Sequence, residues 1–199
     1  MNKDEYAPLR TYISNFINIT DEAWSLHRQA LTVKNLRRGD FLLREGSVCD
    51  HVSFINRGSF RIYTIIDGQE VTNYFFFENS YVTDYESFLT RKTSSDNIVA
   101  LEDSEILQLN YDSVQMLYEK VPAWQKFGRL MAEHVYIQAV ERTKSLQYNS
   151  SEALYLKIME EQPQIIERVP QQYIASYMGI QPESLSRIRK RLMTEVKKS

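Results

Sequence analysis

The sequence predicts an α+β protein with three successive parts: an N-terminal double-stranded β-roll of the jelly-roll kind, a long helix, and a C-terminal helix-turn-helix without a full wing. Three observations lead to this prediction. Short apolar runs alternate with glycine turns between residues 33 and 109, a continuous helical pattern follows Pro122, and two short helical segments flank Gly179. The predicted boundaries are 1–122, 123–148 and 149–199.

Two short helices are expected before the roll. Apolar residues at helical spacing surround Tyr12, Phe16 and Ile19, and Thr20-Asp21-Glu22 is typical of a helix start. The strands that follow are short and evenly spaced, as an antiparallel roll requires. Their turns are predicted at Arg38-Gly39-Asp40, Glu45-Gly46-Ser47, Arg57-Gly58-Ser59 and Asp67-Gly68-Gln69.

A short helix is predicted from Tyr111 to Glu119, and Pro122 then opens a much longer one to about Gln147. Its apolar residues spread over a wide arc, enough to contact the roll on one side and a second copy of the helix on the other. We therefore expect a homodimer, and the alternative is a helix packed wholly within its own chain. The expected interface residues are Phe127, Leu130, Met131, His134, Ile137 and Gln138.

The region after Tyr148 is predicted to contain a hinge, a helix capped by Ser150 or Ser151 and ending near Glu161, and a connection over 163–170. Gln171 to Met178 and the segment from Pro182 onward form the last helix pair. Gly179 stands where a helix needs a left-handed residue to stop. A small residue, Ala175, suits the crossing of two helices, and the apolar wedge comprises Ile174, Met178, Ile180, Leu185 and Ile188.

The second helix of this pair has one apolar and one polar side. Arg187 carries the donor fork that pairs with guanine, and Glu183 can accept from a cytosine amino group. The alternative is a helical hairpin that closes a domain with a solvated charged face. The full set of expected DNA-contacting residues is Gln171, Gln172, Glu183, Ser184, Ser186, Arg187, Lys190 and Arg191, with Lys197 and Lys198 as further phosphate contacts.

Charge is segregated along the chain. Residues 182–199 carry six Lys or Arg against two Glu, whereas the whole chain has a formal net charge of -2. The rest of the chain is therefore acidic, and its field directs a polyanion toward the C-terminal part.

Composition excludes several classes of protein. No apolar run is long enough to span a bilayer, and the first ten residues lack the features of a signal peptide, so the sequence predicts a cytoplasmic protein with no membrane partner. The single cysteine, Cys49, cannot form an internal disulfide or a multi-cysteine metal centre. His27, His51 and His134 are too dispersed to predict a metal site. No catalytic arrangement or phosphate-binding glycine loop is present, so we expect no enzymatic activity and no bound cofactor.

The order of the three parts resembles the Crp/Fnr family of bacterial transcription regulators over nearly the whole chain. The resemblance is carried by the glycines in RRGDFLLREG and NRGSFRIYTIIDGQE, by ALEDSEILQL, and by PESLSRIRKRL. It implies a cyclic-nucleotide-binding-like sensor roll, a symmetric dimer, and double-stranded DNA and RNA polymerase as partners. The family's recognition helix carries Arg-Glu and then Arg four positions later. In this sequence Pro182 stands in place of the first arginine, while Glu183 and Arg187 remain. This difference implies a changed operator.

The family's cyclic-nucleotide signature pairs Gly-Glu for the ribose with Arg-Ser or Arg-Thr for the phosphate. A gap-free alignment places Thr83-Asp84 and Ser94-Ser95 at these positions. Without the arginine, a buried phosphate loses its charge-assisted donor fork, which argues against cyclic AMP. Arg91 or Lys92 could substitute for this arginine, but both occupy the loop and are expected to be solvated. The candidates for contact with a different small-molecule effector are Val82, Thr83, Asp84, Tyr85, Ser94 and Ser95.

Two functional hypotheses follow. The first is a sequence-specific regulator that reads a palindromic operator as a homodimer and is not controlled by cyclic AMP. The second is a small-molecule sensor that acts through protein contacts and keeps a residual helix-turn-helix. The aromatic run Tyr74-Phe75-Phe76-Phe77 could line an effector pocket, although core packing is the simpler interpretation.

Overall fold

The computed structural model describes residues 4–196, with side chains to Thr194. Two helices, α1 (Ala7–Ser14) and α2 (Asp21–Ala30), precede the strands. The strands are β1 (Thr32–Leu36), β2 (Phe41–Leu43), β3 (His51–Arg57), β4 (Phe60–Ile66), β5 (Gln69–Phe76), β6 (Tyr81–Val82), β7 (Asp96–Ala100) and β8 (Ser104–Asn110). The remaining helices are α3 (Tyr85–Thr90), α4 (Tyr111–Lys120), α5 (Pro122–Tyr148), α6 (Ser151–Glu161), α7 (Pro163–Arg168), α8 (Gln171–Tyr177) and α9 (Pro182–Val196).

The strands form two four-stranded sheets, which confirms the predicted β-roll. The strand orders are β1-β8-β3-β6 and β2-β7-β4-β5, and the β1–β8, β3–β8, β3–β6 and β2–β7 pairs are antiparallel. Gly58 makes the turn from β3 to β4 possible. Its φ is +103°, and an added Cβ would lie 2.1 Å from Ser104 Oγ and 2.8 Å from Ser104 Cα. Only glycine fits both the conformation and the close approach of β8.

Most predicted helices are present, and two helices differ from the expectation. The connection over 163–170 contains α7, because Pro163 occupies its first turn and Ile165 is fully buried. The roll also contains α3, whose N-cap Asp84 accepts a hydrogen bond from Ser87 N at 3.1 Å. Both helices are only six residues long, too short for an apolar periodicity to be visible in the sequence.

The chain divides into two compact units. The first contains the residues up to Ile62 together with Phe75–Tyr136, and the second contains Tyr63–Tyr74 together with the residues from Ile137 onward. The division therefore falls within α5 and assigns the tip of the β4–β5 hairpin to the unit that contains α8 and α9. Within the described range of 4–196, no helix combines the length and apolarity needed to cross a membrane.

The first turns of α5 enter the core of the first unit. Trp124 is 2% exposed, and its ring centroid lies 4.3 Å from that of His27 on α2. Phe127 makes edge contacts with Phe16 and Trp124 at 5.9 and 5.7 Å. These aromatic contacts fix the start of the long helix against α1 and α2.

Burial between aromatic rings gives His27 a pH-dependent effect on stability. Desolvation lowers the pKa of His27 from 6.5 to about 4, so between these values the unfolded chain binds more protons than the folded one. Above pH 6.5 His27 is neutral in both states and the free energy of unfolding keeps its full value. As the pH drops toward 4, protonation of the unfolded chain lowers the free energy of unfolding by up to about 3 kcal/mol. Urea unfolding across this range should show a pH dependence that His27→Phe largely removes. Parallel curves for the two proteins would contradict the assignment.

Candidate nucleic-acid interface and effector cavity

The turn between α8 and α9 has the geometry of a glycine-terminated helix. Gly179 has a φ of +67°, and the amides of Gly179 and Ile180 donate to the carbonyl oxygens of Ser176 and Ala175, both at 3.0 Å. This pair of bonds satisfies carbonyls that would otherwise be left open at the end of α8. Pro182 then begins α9 without leaving an amide unpaired.

A buried wedge holds the two helices together. Ala175 and Leu185 are fully buried, and Ile174 is 2% exposed. Because Ala175 has no side chain beyond Cβ, it allows α8 and α9 to approach closely at their crossing. Leu185 and Ile188 lie on the inner face of α9, as the sequence predicts.

The opposite face of α9 is exposed and mainly cationic. Glu183, Ser186, Arg187 and Lys190 are all exposed, and the guanidinium of Arg187 donates to Ser184 Oγ at 3.1 Å. Ser184 and Arg189 are half-buried. Gln171 and Gln172 are exposed in the first turn of α8, whereas Lys197 and Lys198 lie outside the described residues. The arrangement can present the exposed side chains of α9 to base edges while its apolar inner face stays buried.

Arg191 has an intramolecular partner. Its guanidinium forms an ion pair with the carboxylate of Glu152 on α6. The two side chains are 55% and 34% exposed, so solvent screens the pair and its strength is modest. A phosphate could compete for Arg191, but only by displacing Glu152.

Two contacts fasten α8 within the second unit. The hydroxyl of Ser176 accepts from Thr72 N at 2.9 Å and donates to Glu70 O at 3.0 Å, so α8 is joined to the edge of the β4–β5 hairpin. On α5, Arg142 donates to the carbonyl oxygen of Tyr177, and its guanidinium lies 3.6 Å from the Tyr177 ring centroid. The position of α8 is therefore set by a strand and by a helix. Neither residue stands out in the sequence, because each contact joins segments far apart in the chain.

The exposure of α5 changes along its length. Phe127, expected at a dimer interface, is 8% exposed and belongs to the core of its own chain, so that assignment was wrong. Leu130 and Met131 are half-buried, and Met131 Sδ accepts from Tyr12 at 3.7 Å. His134, Ile137 and Gln138 are exposed. Exposed apolar residues that the sequence argument did not select are Val135, Tyr136, Leu146 and Tyr148.

The residues aligned with the cyclic-nucleotide signature have structural partners. Thr83 donates to His51 O at 3.0 Å, and Asp84 caps α3. Ser94 is buried, with its hydroxyl bonded to both the amide and the carbonyl of Asp96. Ser95 is exposed. Tyr85 is half-buried, and this burial raises the pKa of its hydroxyl. The side chains of Thr83, Asp84 and Ser94 are thus engaged in hydrogen bonds within the protein.

Arg91 is only partly solvated, contrary to the expectation, because its side chain is 33% exposed and has several partners. Its φ is +59° at the end of α3, and its guanidinium pairs with the carboxylate of Asp50 and donates to Cys49 O at 3.0 Å. The guanidinium also lies 4.1 Å from the Tyr111 ring centroid. Arg91 therefore joins α3 to the start of β3. Lys92 is exposed, as predicted.

A cavity of about 430 Å³ lies in the roll. Val82 and Thr83 line it, but the other four effector candidates, Asp84, Tyr85, Ser94 and Ser95, do not. Its polar lining comes instead from Lys34, Arg44, Ser47, Cys49, Asp50, His51, Ser53 and Gln108. The register places Lys34 and His51 on β1 and β3, which both pair with β8, the strand of Gln108. The sequence does not reveal this grouping because it depends on strand order. Among residues 4–196, no cluster of His, Cys, Asp and Glu could hold a metal ion.

The aromatic run contributes to packing. Phe75 and Phe77 are buried, and Phe76 packs against the main core cluster. Phe88 is buried with an edge contact to Tyr111 at 5.3 Å.

Comparisons with known proteins agree with these features. Residues 33–121 match the family model of the cyclic nucleotide-binding domain. A protein assigned to the Crp/Fnr transcriptional regulators of Eubacterium rectale superposes with a TM-score of 0.69 at 14% identity, covering 89% of this chain and 85% of its own. The c-di-GMP responsive global regulator CLP of Xanthomonas campestris gives 0.67 at 15% identity, covering 88% and 93%. The chain has the Crp/Fnr fold. The catabolite activator protein of Thermus thermophilus gives 0.54 at 19% identity, covering 90% and 86%. A comparison with curated protein sequences gives no match.

The Crp/Fnr fold is confirmed from the roll through the helix-turn-helix. Glu183 and Arg187 are exposed at the front of the second helix of the motif. In the roll, Asp84 and Ser94 make hydrogen bonds within the protein.

The Arg191–Glu152 pair generates a prediction for DNA affinity. Glu152→Gln removes the competing carboxylate and frees the guanidinium, so affinity for any duplex should rise about two- to fivefold at low salt, with an increased salt dependence. Glu160→Gln, on the same helix and exposed, serves as the control for net charge. Fluorescence anisotropy with random-sequence duplex measures both. Equal gains in the two variants would indicate a general charge effect and not release of Arg191.

Proposed function

We propose that the protein is a sequence-specific DNA-binding transcription regulator of the Crp/Fnr type that reads an inverted repeat as a homodimer in the cytoplasm. The observation that carries the proposal is the exposed face of α9, with Glu183, Arg187 and Lys190 projecting from a helix whose inner face is buried. The fold of the described chain and its superposition on solved regulators support the same assignment.

Sequence reading follows from the chemistry of the face. Arg187 can pair with the two acceptors of guanine in the major groove, and Glu183 can accept from a cytosine amino group. Lys190 and the glutamines at the start of α8 are suited to phosphates, which position the helix without specifying a base. RNA polymerase is the further partner that a regulator of this kind would contact.

Two symmetric half-sites require two copies of the helix-turn-helix. The exposed half of α5 supplies a surface for pairing. At 100° per residue, Ile137 and Tyr148 point in the same direction as Leu130 and His134, so these residues form a seam along one side of the helix. The charged residues Glu141 and Lys144 lie on the same side, between Ile137 and Tyr148. Ile137 is 53% exposed and Tyr148 is 78% exposed. Such a seam suits a parallel pair of α5 helices around a two-fold axis.

The role of Arg187 can be tested by selecting bound sequences from random duplex DNA. The wild type should enrich an inverted repeat with half-sites about one helical turn apart. Arg187→Ala should lose discrimination at one position of each half-site, worth about 1–3 kcal/mol per contact. Lys126→Ala, an exposed cation on α5, is the matched control and should keep the wild-type preference.

Absence of any enriched sequence for the wild type, or an unchanged preference in Arg187→Ala, would count against DNA reading by this face. In that case, a sensor acting through protein contacts becomes the better description.

Dimerisation through the α5 seam can be tested separately. Ile137→Glu replaces an apolar residue of the seam by an unpaired charge and should convert the dimer to a monomer, because an unpaired charge at an interface costs several kcal/mol. Thr143→Glu places the same charge on a different side of α5 and should remain dimeric. Sedimentation equilibrium gives the mass of each. A dimeric Ile137→Glu protein would exclude this seam as the dimer interface.

A further inference from the structure

The roll cavity has an electrostatic imbalance that its family likeness does not explain. Lys34 and Arg44 both line the cavity, and neither has an acidic partner within ion-pair distance among the side chains the structure describes. The one carboxylate in the lining, Asp50, is already paired with Arg91. The cavity therefore has two cations that no described carboxylate compensates.

The remaining lining contains both apolar and polar residues. Phe41, Leu42, Leu43, Val82 and Ile98 are apolar. His51, Ser53 and Gln108 supply polar groups, and Gln108 Nε2 donates to Ser53 Oγ at 3.2 Å. The volume of about 430 Å³ falls within the range of sites for small organic molecules. A molecule that matches this lining and its two cations needs an apolar body and a polar, negatively charged end.

The form of the anion follows from the donors. A phosphate is best held by a guanidinium fork or by free amides at a helix start. Arg91 lies outside the lining, its fork is engaged by Asp50 and by Cys49 O, and the amino end of α3 is capped by Asp84. The guanidinium of Arg44, which does line the cavity, stacks on the ring of Phe41, 3.6 Å from its centroid. The ammonium of Lys34 remains a point charge that can pair with one carboxylate.

We propose that the roll cavity binds a small organic monocarboxylate with an apolar body, with the carboxylate at Lys34 and the body against Phe41, Leu43 and Ile98. This inference goes beyond DNA reading and does not depend on it, since binding to the roll can be measured without DNA. Lys34 and Arg44 are exposed, so they lie where the cavity opens to solvent and bring an anion inward.

His51 provides a local reporter of occupancy. Burial has the largest effect on the pKa of His51 and lowers it. To a smaller extent, Asp50 raises this pKa and Lys34 lowers it. Other charged or titratable residues in the same lining are Arg44 and Cys49. An added carboxylate favours the imidazolium, so occupancy should raise the pKa of His51. His27 and His134 lie outside the lining and serve as internal references.

The test compares 4-phenylbutyrate with its neutral analogue 4-phenylbutan-1-ol, using the full-length protein. Titration calorimetry gives both affinities, and NMR of the histidine rings follows each pKa. We expect the acid to bind about fivefold or more tightly than the alcohol at low salt and to raise the pKa of His51 alone. Lys34→Gln should weaken the acid about fivefold and leave the alcohol unchanged, while Lys126→Gln should match the wild type.

Three results would overturn the proposal: binding of neither compound, equal affinity for acid and alcohol, or acid binding that leaves the His51 titration unchanged. If Lys34→Gln does not fold, the comparison of acid with alcohol on the wild type still decides. None of these outcomes bears on selection of DNA sequences, so failure here is distinguishable from failure of the proposed function.

Discussion

The aromatic contact between Trp124 and His27 is the interaction on which the arrangement of the long helix depends. Trp124 lies in the first turn of α5 and is almost completely buried, and Phe127 follows it one turn later in the same core. These residues hold the first turns of α5 against α2 and the segment that follows α1. A single α-helix thus has a structural first part and a more exposed second part.

The roll keeps the architecture of the cyclic nucleotide-binding domain, but the residues aligned with the nucleotide signature make hydrogen bonds within the chain. Asp84 and Ser94 occupy the positions that a cyclic nucleotide would need, but their polar groups are hydrogen-bonded to the neighbouring backbone. Arg91 stands close in sequence and would be an attractive replacement for the missing arginine. Its left-handed backbone and its bonds to Asp50 and Cys49 direct it to a structural task instead. The cavity in the roll is lined by other polar residues, among them Lys34, His51 and Gln108, and not by Asp84 or Ser94.

Local signals in the sequence were sufficient for most of the fold. Glycine turns identified the strands, proline residues identified the starts of α5 and α9, and Gly179 with Ala175 identified the turn of the last helix pair. These signals act within a few residues, so they can be recognised without knowing the fold. The side of α9 that faces solvent was predictable for the same reason, because helical periodicity alone assigns Leu185 and Arg187 to opposite faces.

The features that could not be predicted arise from contacts between distant segments. Strand order brings Lys34, His51 and Gln108 to one cavity, although more than seventy positions separate the first from the last. Phe127 shares the helical arc of Leu130 and Ile137, and only the positions of Phe16 and of Tyr81 on β6 decide that it is covered by its own chain. The pairing of Arg191 with Glu152 likewise depends on how α6 packs. Periodicity identifies an apolar side but not the partner that covers it.

The two bonds of the Ser176 hydroxyl impose a constraint on the length of the β4–β5 hairpin. The hydroxyl reaches a carbonyl and an amide two residues apart, on Glu70 and Thr72. Successive peptide groups of a strand point in opposite directions, so inserting one residue between these positions would turn one of the two groups away from α8. Insertions in the turn at Asp67 and Gly68, before Gln69, leave both groups in place. Relatives that keep a serine here should therefore vary the hairpin only at its tip, and relatives that change the strand should also change residue 176.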